Sequence, residues 1–498
     1  MKYILALDQG TTSSRAILFD EAGQIAGVAQ HEFRQMYAET GWVEHDPYEI
    51  LTSQLSSAVE VMGAVGARPR DVAGLGITNQ RETTLVWDRE TGKPVYNAIV
   101  WQDRRTAPLC RKLLEEGAEE MVRQKTGLVI DPYFSGTKVA WILENVAGAR
   151  ARAEQGKLAF GTVDSWLIWN LTSGKRHVTD RTNASRTLLY NIVEDKWDED
   201  LLRLLGVPAS MMPEVVWSSE RIGPVTTTLG LGEVEIAGIA GDQQSALFGQ
   251  LCTRPGDAKN TYGTGCFLLE NIGGEFMLSK ERLITTLACS TARKLEYALE
   301  GSVFIGGAVV QWLRDNMKFI AASPEVEALA AGVSGSNGVV FVPAFTGLGA
   351  PHWDPYASGM IIGIQRSTEI GHIARAAVES IAFQVADVLW AMDEDTGRPS
   401  HVLRVDGGAA ANDLLMQFQA DLLEIPVERP AVLETTALGA AYLAGLAVGF
   451  WPDEEAIRKH REPGRVFEPK ADRASIKKMH AKWKDAVVRA KGWNRENA

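Results

Sequence analysis

Short apolar runs separated by polar, glycine-containing turns open the chain. Residues 3–7, 16–19 and 25–29 are three such runs, and the turn DQGTTSSR (residues 8–15) separates the first two. Runs of this length divided by turns predict an antiparallel meander of strands. A Walker-type phosphate loop requires a helix directly after its glycines, so the strand predicted here disfavours that motif.

The same layout recurs near the middle of the chain. Residues 258–261 lead into the turn YGTG (residues 262–265), and the apolar residues 266–270 follow. The repeat indicates an α/β protein made of two duplicated domains, which we place at residues 1–250 and 251–498. Chance similarity of two short turns is the alternative.

Apolar spacing elsewhere predicts helices. Apolar residues recur every four positions over residues 373–389, which is typical of one helix face. The apolar stretch 438–451 is too short to cross a bilayer and predicts a buried helix. Residues 453–498 are highly charged and predict surface helices or a tail.

Composition and charge narrow the class of protein. Of the 498 residues, 45% are hydrophobic and 23% are charged, which is typical of a globular protein. The formal net charge of −12 argues against non-specific nucleic-acid binding, because that requires a basic surface. The four cysteines lack a CxxC spacing, which disfavours a zinc site and a disulfide framework. We therefore expect a cytoplasmic enzyme with no nucleic-acid partner and no insertion into membranes.

The two Gly/Thr turns carry chemistry suited to an anion. Glycine lets successive backbone N–H groups point the same way, and the Thr and Ser hydroxyls and Arg15 add donors and positive charge. Asp8 follows a strand, where a carboxylate can hold hydrated Mg²⁺ against phosphates. Taken singly, each turn is equally consistent with an ordinary hairpin. Two such turns facing each other across a cleft would grip a polyphosphate from both sides.

Two other predicted strands end at polar residues. Residues 234–240 run into Gly241 and Asp242, and residues 72–77 run into a polar segment that contains Arg81 and Glu82. A carboxylate at a strand end can accept a hydroxyl proton, but Asp242 would serve equally well as a helix N-cap. The adjacent Arg81 and Glu82 offer donors and acceptors to a polyol, and a surface salt bridge is the alternative.

Small residues follow another predicted strand at residues 406–412. Such a turn lets a flat purine approach the backbone, and the N-terminus of the next helix favours a nearby anion. Tight packing between strand and helix is the alternative.

Eight segments in order resemble the FGGY carbohydrate kinases of the actin-like ATPase superfamily. They are DQGTTSSRAILFD, GWVEHDP, TNQRETTLVWD, NAIVWQDRRT, GDQQSALFGQ, TYGTGCF, ALEGSVF and VDGGAAANDLLMQFQAD, and residues 133–145 and 358–379 match two further family patterns. The resemblance extends over about residues 2–451 and is strongest to the family members that act on glycerol. It implies two ribonuclease H-like domains with an interdomain cleft, and MgATP-dependent phosphorylation of glycerol to glycerol 3-phosphate.

The resemblance also implies roles for the residues at matching positions. Asp242 would be the general base, and Asp8 and Asp242 would hold Mg²⁺ through water. The hydroxyl-binding residues would be Arg81, Glu82, Tyr133, Asp242 and Gln243, with Trp101 and Phe267 as the apolar wall. The residues that bind ATP would be Thr11, Thr12, Ser13, Arg15, Thr264, Gly307, Gln311, Gly408 and Asn412.

Two alternatives and one departure accompany this resemblance. The alternatives are a kinase of the same family that acts on xylulose or gluconate, and an actin-like ATPase without a polyol substrate. Some bacterial relatives carry an Arg-containing effector loop or a phosphorylatable His shortly before GDQQ. Residues 225–234 contain neither Arg nor His, which puts both modes of regulation in doubt. The resemblance implies a homodimer or homotetramer.

Overall fold

Strands and helices alternate along most of the chain. The computed structural model describes residues 2–227, 231–460 and 464–495. Its strands are β1 (Tyr3–Gln9), β2 (Ser13–Phe19), β3 (Ile25–Glu32), β4 (Glu44–His45), β5 (Val72–Asn79), β6 (Leu85–Asp88), β7 (Ala98–Ile99), β8 (Leu158–Gly161), β9 (Val178–Asp180), β10 (Tyr190–Asn191), β11 (Lys196–Trp197), β12 (Glu214–Val216), β13 (Ser219–Pro224), β14 (Glu235–Gly241), β15 (Ala258–Tyr262), β16 (Cys266–Gly273), β17 (Ile284–Leu287), β18 (Tyr297–Val303), β19 (Val340–Val342), β20 (Met360–Ile362), β21 (Leu403–Asp406), β22 (Val427–Arg429) and β23 (Arg465–Phe467). Its α-helices are α1 (Pro47–Val65), α2 (Ala107–Glu115), α3 (Glu119–Thr126), α4 (Ser135–Asn145), α5 (Ala149–Glu154), α6 (Val163–Leu171), α7 (Arg181–Ala184), α8 (Glu199–Leu204), α9 (Asp242–Gly249), α10 (Ala308–Asp315), α11 (Glu325–Ala331), α12 (Ile370–Thr396), α13 (Asp413–Leu423), α14 (Thr435–Val448), α15 (Glu454–His460) and α16 (Arg473–Ala490).

Two large mixed sheets have the same internal arrangement. The first has the order β13-β14-β5-β1-β2-β3, and the second has the order β17-β18-β16-β15-β21-β22-β23. In the first, β1, β2 and β3 are antiparallel neighbours, while β1, β5 and β14 run parallel. In the second, β15, β16 and β18 are antiparallel, while β15, β21 and β22 run parallel. Five strands of the first sheet, β14-β5-β1-β2-β3, thus have the same order and directions as five of the second, β22-β21-β15-β16-β18. The two domains therefore resemble each other well beyond their Gly/Thr turns.

The predicted opening meander is confirmed, and so is the turn that repeats it. Between β1 and β2, the Gly10 N–H donates to the Ser13 carbonyl at 2.9 Å. Between β15 and β16, the Gly263 N–H donates to the Gly265 carbonyl at 2.9 Å. Both turns are short because glycine allows the chain to reverse within a few residues.

Helices α9 and α14 lie between the two sheets. Apolar residues of α14 form one buried cluster with residues of β1, β2 and β14. Leu247 of α9 packs with Leu269 of β16 in the second sheet. The helices touch at their backbones, since a Cβ on Gly439 would lie 1.9 Å from the Ser245 carbonyl oxygen. Helix α14 thus packs on the first sheet although it lies between β22 and β23 of the second sheet in sequence. The division at residue 250 stays a prediction.

The C-terminal segment is more integrated than its charge pattern predicts. Strand β23 pairs with β22 and extends the second sheet. In α16, Trp483 is fully buried and its Nε1 donates to Asp387 of α12 at 2.8 Å. His480 Nε2 lies 3.3 Å from the same carboxylate. The segment is therefore a docked part of the second domain rather than a tail.

The stretch predicted to be a buried helix is α14. Its residues from 437 to 445 are all buried, which agrees with the expectation from the apolar run. Among the described residues, no helix combines the length and apolar character needed to cross a membrane.

One carboxyl group in the second sheet is buried without a hydrogen-bond partner. Glu270 on β16 has no exposed surface, and neither of its carboxyl oxygens has a partner in the described residues. It pairs with Leu299, a member of the cluster that packs beneath α12. Burial raises the pKa of Glu270 to about 8, and Asp393 adds to this shift while Arg398 opposes it.

The close contact between α9 and α14 predicts that Gly439 cannot be replaced by a residue with a side chain without loss of stability. Gly439→Ala places a methyl group against the Ser245 carbonyl, so we expect it to lower the free energy of unfolding by about 1–3 kcal/mol. The control is Gly63→Ala in α1, where an added Cβ meets nothing within 4 Å and helix propensity favours alanine. Urea denaturation measures both variants. Equal effects of the two substitutions would contradict the close packing.

The buried carboxyl predicts a pH-dependent stability. Burial raises the folded-state pKa of Glu270 above the ordinary value of 4.5, so the folded protein holds this proton more tightly than the unfolded chain does. The free energy of unfolding therefore falls as the pH rises from about 5 towards 8. Relative to Glu270→Gln, the parent should therefore lose about 1.4 kcal/mol per pH unit between about pH 5 and 8. Denaturation of both proteins at three pH values tests this. A difference that does not change with pH would contradict it.

Candidate active site

Three parallel strands of the first sheet end side by side. The register pairs Gln9 with Asn79 and Asn79 with Gly241. The residues that follow β1, β5 and β14 consequently emerge along one edge of the sheet. Ligands of α/β proteins bind at such carboxyl edges. The predicted phosphate turn, the Arg81-Glu82 pair and Asp242 are therefore neighbours.

Asp242 is the first residue of α9, at the end of β14. Gly241 occupies the N-cap position, so the interpretation of Asp242 as the helix cap is wrong. One carboxylate oxygen, Oδ1, accepts the Gln243 backbone N–H at 2.7 Å and lies 3.2 Å from Arg81 Nε. The side chain is still 30% exposed. Burial raises the pKa of Asp242 above its ordinary value, while the Arg81 guanidinium opposes the shift.

Arg81 is buried and held by a residue of the second sheet. It is 3% exposed, so the alternative of a surface salt bridge is wrong. Its Nη1 and Nη2 donate to the two carboxylate oxygens of Glu300 on β18, at 2.6 and 2.9 Å. Its Nη1 also donates to Gln244 Oε1 at 3.1 Å. The guanidinium thus joins the two sheets beneath Asp242.

Glu82 and Arg186 complete a buried group of four charges. Arg186 Nε donates to Glu82 Oε1 at 2.6 Å, and Arg186 Nη2 donates to Glu300 Oε1 at 3.0 Å. Both residues are almost fully buried. Burial alone would raise the pKa of Glu300, but Arg186 and Arg81 hold it lowered to about 2. Two arginines and two carboxylates thus balance each other away from water.

The predicted aromatic wall stands beside this group. The Trp101 and Tyr133 rings meet edge to face with centroids 5.6 Å apart. Trp101 Nε1 donates to Thr11 Oγ1 at 3.0 Å, and Tyr133 Oη lies 3.5 Å from Arg81 Nη2. These contacts bring the predicted polyol residues into contact with the first phosphate turn. Phe267 lies on β16 of the second sheet, on the same face as Leu269, which packs with Leu247 of α9.

Gln243 is also held from the second sheet. Lys259 Nζ donates to Gln243 Oε1 at 2.6 Å and to Thr261 Oγ1 at 2.9 Å. Lys259 has no exposed surface. Burial lowers the pKa of Lys259 to about 8, and the carboxylates of Asp406 and Asp242 oppose that shift.

The first phosphate turn is accessible and tied to the second domain. Thr12 is exposed and Ser13 is 8% exposed. Arg15 Nη1 forms an ion pair with Glu434, which precedes α14. Burial raises the pKa of Asp8 to about 6 against the charge of Arg15. The carboxylates of Glu434 and Asp242 add to that shift, so Asp8 and Asp242 act on each other electrostatically.

Three segments of the second sheet meet at the predicted nucleotide side. The Gly307 N–H donates to the Gly263 carbonyl at 2.8 Å, and the Ala308 N–H donates to the Thr264 carbonyl at 3.0 Å. Gly407 has a φ of 86°, and a Cβ there would lie 2.6 Å from the Tyr262 carbonyl oxygen. A Cβ on Gly408, in contrast, would meet nothing within 4 Å. The 263–265 turn and the predicted purine turn are therefore adjacent, with open space beside Gly408.

Gln311 and Asn412 lie on helices that begin at these segments. Gln311 is exposed on α10. Asn412 is the N-cap of α13, and its Oδ1 accepts the Leu415 N–H at 2.9 Å, which leaves its amide NH₂ group available. Of the segment 225–234, residues 228–230 lie outside the described residues.

Sequence reasoning missed three residues of this site. Glu300 lies within the quoted segment ALEGSVF without an assigned role, and Lys259 and Arg186 were not singled out. The available signal was a single charged residue in the predicted strand 258–261 for Lys259, and a single charged residue in the segment ALEGSVF for Glu300. Such a charge is rarely buried unless it is paired.

Family comparisons cover both domains. The model of the N-terminal domain of the FGGY family of carbohydrate kinases matches residues 3–249, and that of the C-terminal domain matches residues 258–448. The chain belongs to the FGGY family of carbohydrate kinases. This FGGY chain is 62% identical over 99% of both chains to a glycerol kinase of Koribacter versatilis. It is 57% identical to glycerol kinase 2 of Thermotoga maritima, covering 99% of this chain and 100% of that one.

Solved structures of the family have the same fold. A Plasmodium falciparum glycerol kinase with ADP aligns with a TM-score of 0.92 at 38% identity, over 98% of both chains. A xylulose kinase from Lactobacillus acidophilus aligns with a TM-score of 0.88 at 22% identity, over 99% of both chains, which shows the fold alone. The predicted fold class, α/β with two ribonuclease H-like domains and an interdomain cleft, is confirmed.

Proposed function

We propose that this chain transfers the terminal phosphoryl group of ATP to glycerol and forms glycerol 3-phosphate. The observation that carries the proposal is the contact between Asp242 and Arg81 at the edge of the first sheet, in a chain 62% identical to a glycerol kinase. A partly exposed carboxylate beside a fixed guanidinium offers one acceptor and several donors to a small polyol. The xylulose kinase and a gluconate kinase from Lactobacillus acidophilus are each only 22% identical and give these substrates no comparable support.

The polyol would lie against the side chains already in contact. Arg81, Gln243 and Tyr133 supply polar atoms for its hydroxyl groups. Trp101 and Phe267 supply the apolar surface for its carbon chain, and Glu82 acts from the buried charged group behind them. Asp242 accepts the proton of the attacking hydroxyl, and in a loose phosphoryl-transfer transition state its positioning of that oxygen matters as much as its basicity.

The phosphates of ATP would lie between the turns of the two sheets. Thr11, Thr12, Ser13 and Arg15 act from the first turn and Thr264 from the second, while Gly307, Gln311, Gly408 and Asn412 surround the nucleoside. The open space beside Gly408 suits a flat base.

The carboxylates fit a magnesium ion. Asp8 and Asp242 are hard oxygen donors. Burial is the main cause of the raised pKa of Asp8, and the Asp242 carboxylate adds to it, so a cation between the two would be favoured. Mg²⁺ takes few protein carboxylates and completes its shell with water and phosphate oxygens, so two carboxylates suffice. When bound, the ion neutralises charge on the phosphates.

We also propose a cytoplasmic location and a homodimer or homotetramer. Both rest on the resemblance to the family and not on a contact within this chain.

The substrate proposal is tested with a panel of acceptors. Purified protein with MgATP should release ADP in the presence of glycerol, at a kcat/KM at least about 100-fold above those for xylulose and gluconate, because unpaired polar groups reject a wrong substrate. A higher kcat/KM for xylulose or gluconate than for glycerol would show that this sugar, and not glycerol, is the substrate. ATP turnover that is independent of every polyol would indicate an actin-like ATPase instead.

The role of Asp242 is tested by Asp242→Asn. Removal of the general base should lower kcat about 10²- to 10⁴-fold and leave the unfolding transition close to that of the parent. The matched control is Asp472→Asn at the start of α16, where asparagine caps a helix as well as aspartate does and kcat should not change. An Asp242→Asn variant that retains most of its kcat would refute the assignment.

A further inference from the structure

One face of the second sheet points towards the polyol residues. The strand register places Lys259 opposite Leu269, and Leu269 opposite Glu300. Opposed residues share a face, and Leu269 packs against Leu247 of α9. Lys259 and Glu300 therefore point towards α9, whose first two residues are Asp242 and Gln243.

Both charged residues form hydrogen bonds with residues that are predicted to bind the polyol. Glu300 binds Arg81 through both carboxylate oxygens, and Lys259 binds Gln243 through Nζ. Neither side chain has exposed surface. They are thus shielded from solvent and act on the site through Arg81 and Gln243.

The hydrogen bonds with Glu300 and Lys259 fix the orientation of the Arg81 guanidinium and of the Gln243 amide. Two parallel hydrogen bonds to a carboxylate hold the plane of a guanidinium, which keeps Arg81 Nε 3.2 Å from Asp242 Oδ1. Lys259 occupies Gln243 Oε1 with a donor, so the Gln243 amide presents its NH₂ group elsewhere as a donor. Without Lys259 the amide is able to turn over and present an acceptor instead.

We propose that Glu300 and Lys259 are positioning residues of the polyol site, through which the second sheet sets the orientation of Arg81 and Gln243. This inference rests on the proposed function. It assigns the glycerol site to both domains, although Arg81 and Gln243 follow strands of the first sheet. A purely structural role for the two charges is the competing explanation.

The experiment compares steady-state constants of Glu300→Gln and Lys259→Met at fixed pH. Each variant should raise the KM for glycerol about 10- to 100-fold, the loss expected for a charge-assisted hydrogen bond. The KM for ATP should stay within about 3-fold of the parent, since the hydrogen bonds of Glu300 and Lys259 go to Arg81, Arg186, Gln243 and Thr261 and not to the proposed ATP-binding residues. If Glu300→Gln does not fold, Lys259→Met tests the same proposal. The hydrogen-bond partners of Lys259 Nζ, Gln243 and Thr261, are uncharged, so methionine at this position does not break a hydrogen-bonded ion pair.

Glu270→Gln is the matched control. Glu270 is also a fully buried glutamate of the second sheet, and its partner Leu299 is next to Glu300, so it points to the opposite face. Both KM values should match the parent. If Glu270→Gln raises the KM for glycerol as much as Glu300→Gln does, general loosening of the sheet explains the effect and the proposal fails.

A double-mutant cycle separates positioning from general disturbance. If Lys259 acts through Gln243, Lys259→Met should change the KM for glycerol little once Gln243→Ala is present. Additive effects, or equal increases in both KM values, would overturn the proposal. A parent protein without glycerol-dependent ADP release would instead refute the proposed function, so the two failures are distinguishable.

Discussion

Four buried charges at the junction of the two sheets are the interaction on which the site depends. Arg81 and Arg186 share the Glu300 carboxylate, and Arg186 also binds Glu82. Each charge is stable away from water only while its partners remain in place, and loss of one partner from such a pair typically costs about 3–5 kcal/mol. The group therefore requires the strand ends of the first sheet to lie against one face of the second, which places Asp242 at the surface above it.

The helices between the sheets make this approach possible. Glycines occur where α14 meets its neighbours, and Gly76 of β5 is an example, because a Cβ there would lie 2.1 Å from the Ala440 carbonyl oxygen. Side chains at these positions would push α14 away from α9 and from the first sheet, because ordinary contact begins only at 3.4 Å. The hydrogen bonds from Arg81 to Glu300 and from Lys259 to Gln243, at 2.6 to 2.9 Å, cross the same interface and depend on this close approach.

The sequence predicted what depends on local pattern and little of what depends on distant pairing. The β1–β2–β3 meander, the turn at 263–265 and helix α14 all follow from neighbouring residues. Arg81 and Glu300 are 219 residues apart, and nothing in either segment specifies the other. The docking of α16 escaped prediction for the same reason, since the charge pattern of the segment reveals its exposed face but not the bond from Trp483 to Asp387. The roles of the site residues were predicted from the family resemblance. The spacing alone did not decide whether Asp242 is a general base or the N-cap of a helix.

Strand β18 connects the two halves of the proposed reaction. It carries Glu300, which holds Arg81 at the polyol side, and a few residues later the chain reaches Gly307, which bonds to the turn at the predicted nucleotide side. A strand inside a sheet is stiff along its length, so a displacement at one end is transmitted to the other. Any shift of the nucleotide segments relative to the first sheet therefore acts directly on the Arg81 guanidinium. The Arg81–Glu300 ion pair joins the two sheets. It therefore makes the orientation of the residues that bind the polyol depend on the position of the second domain.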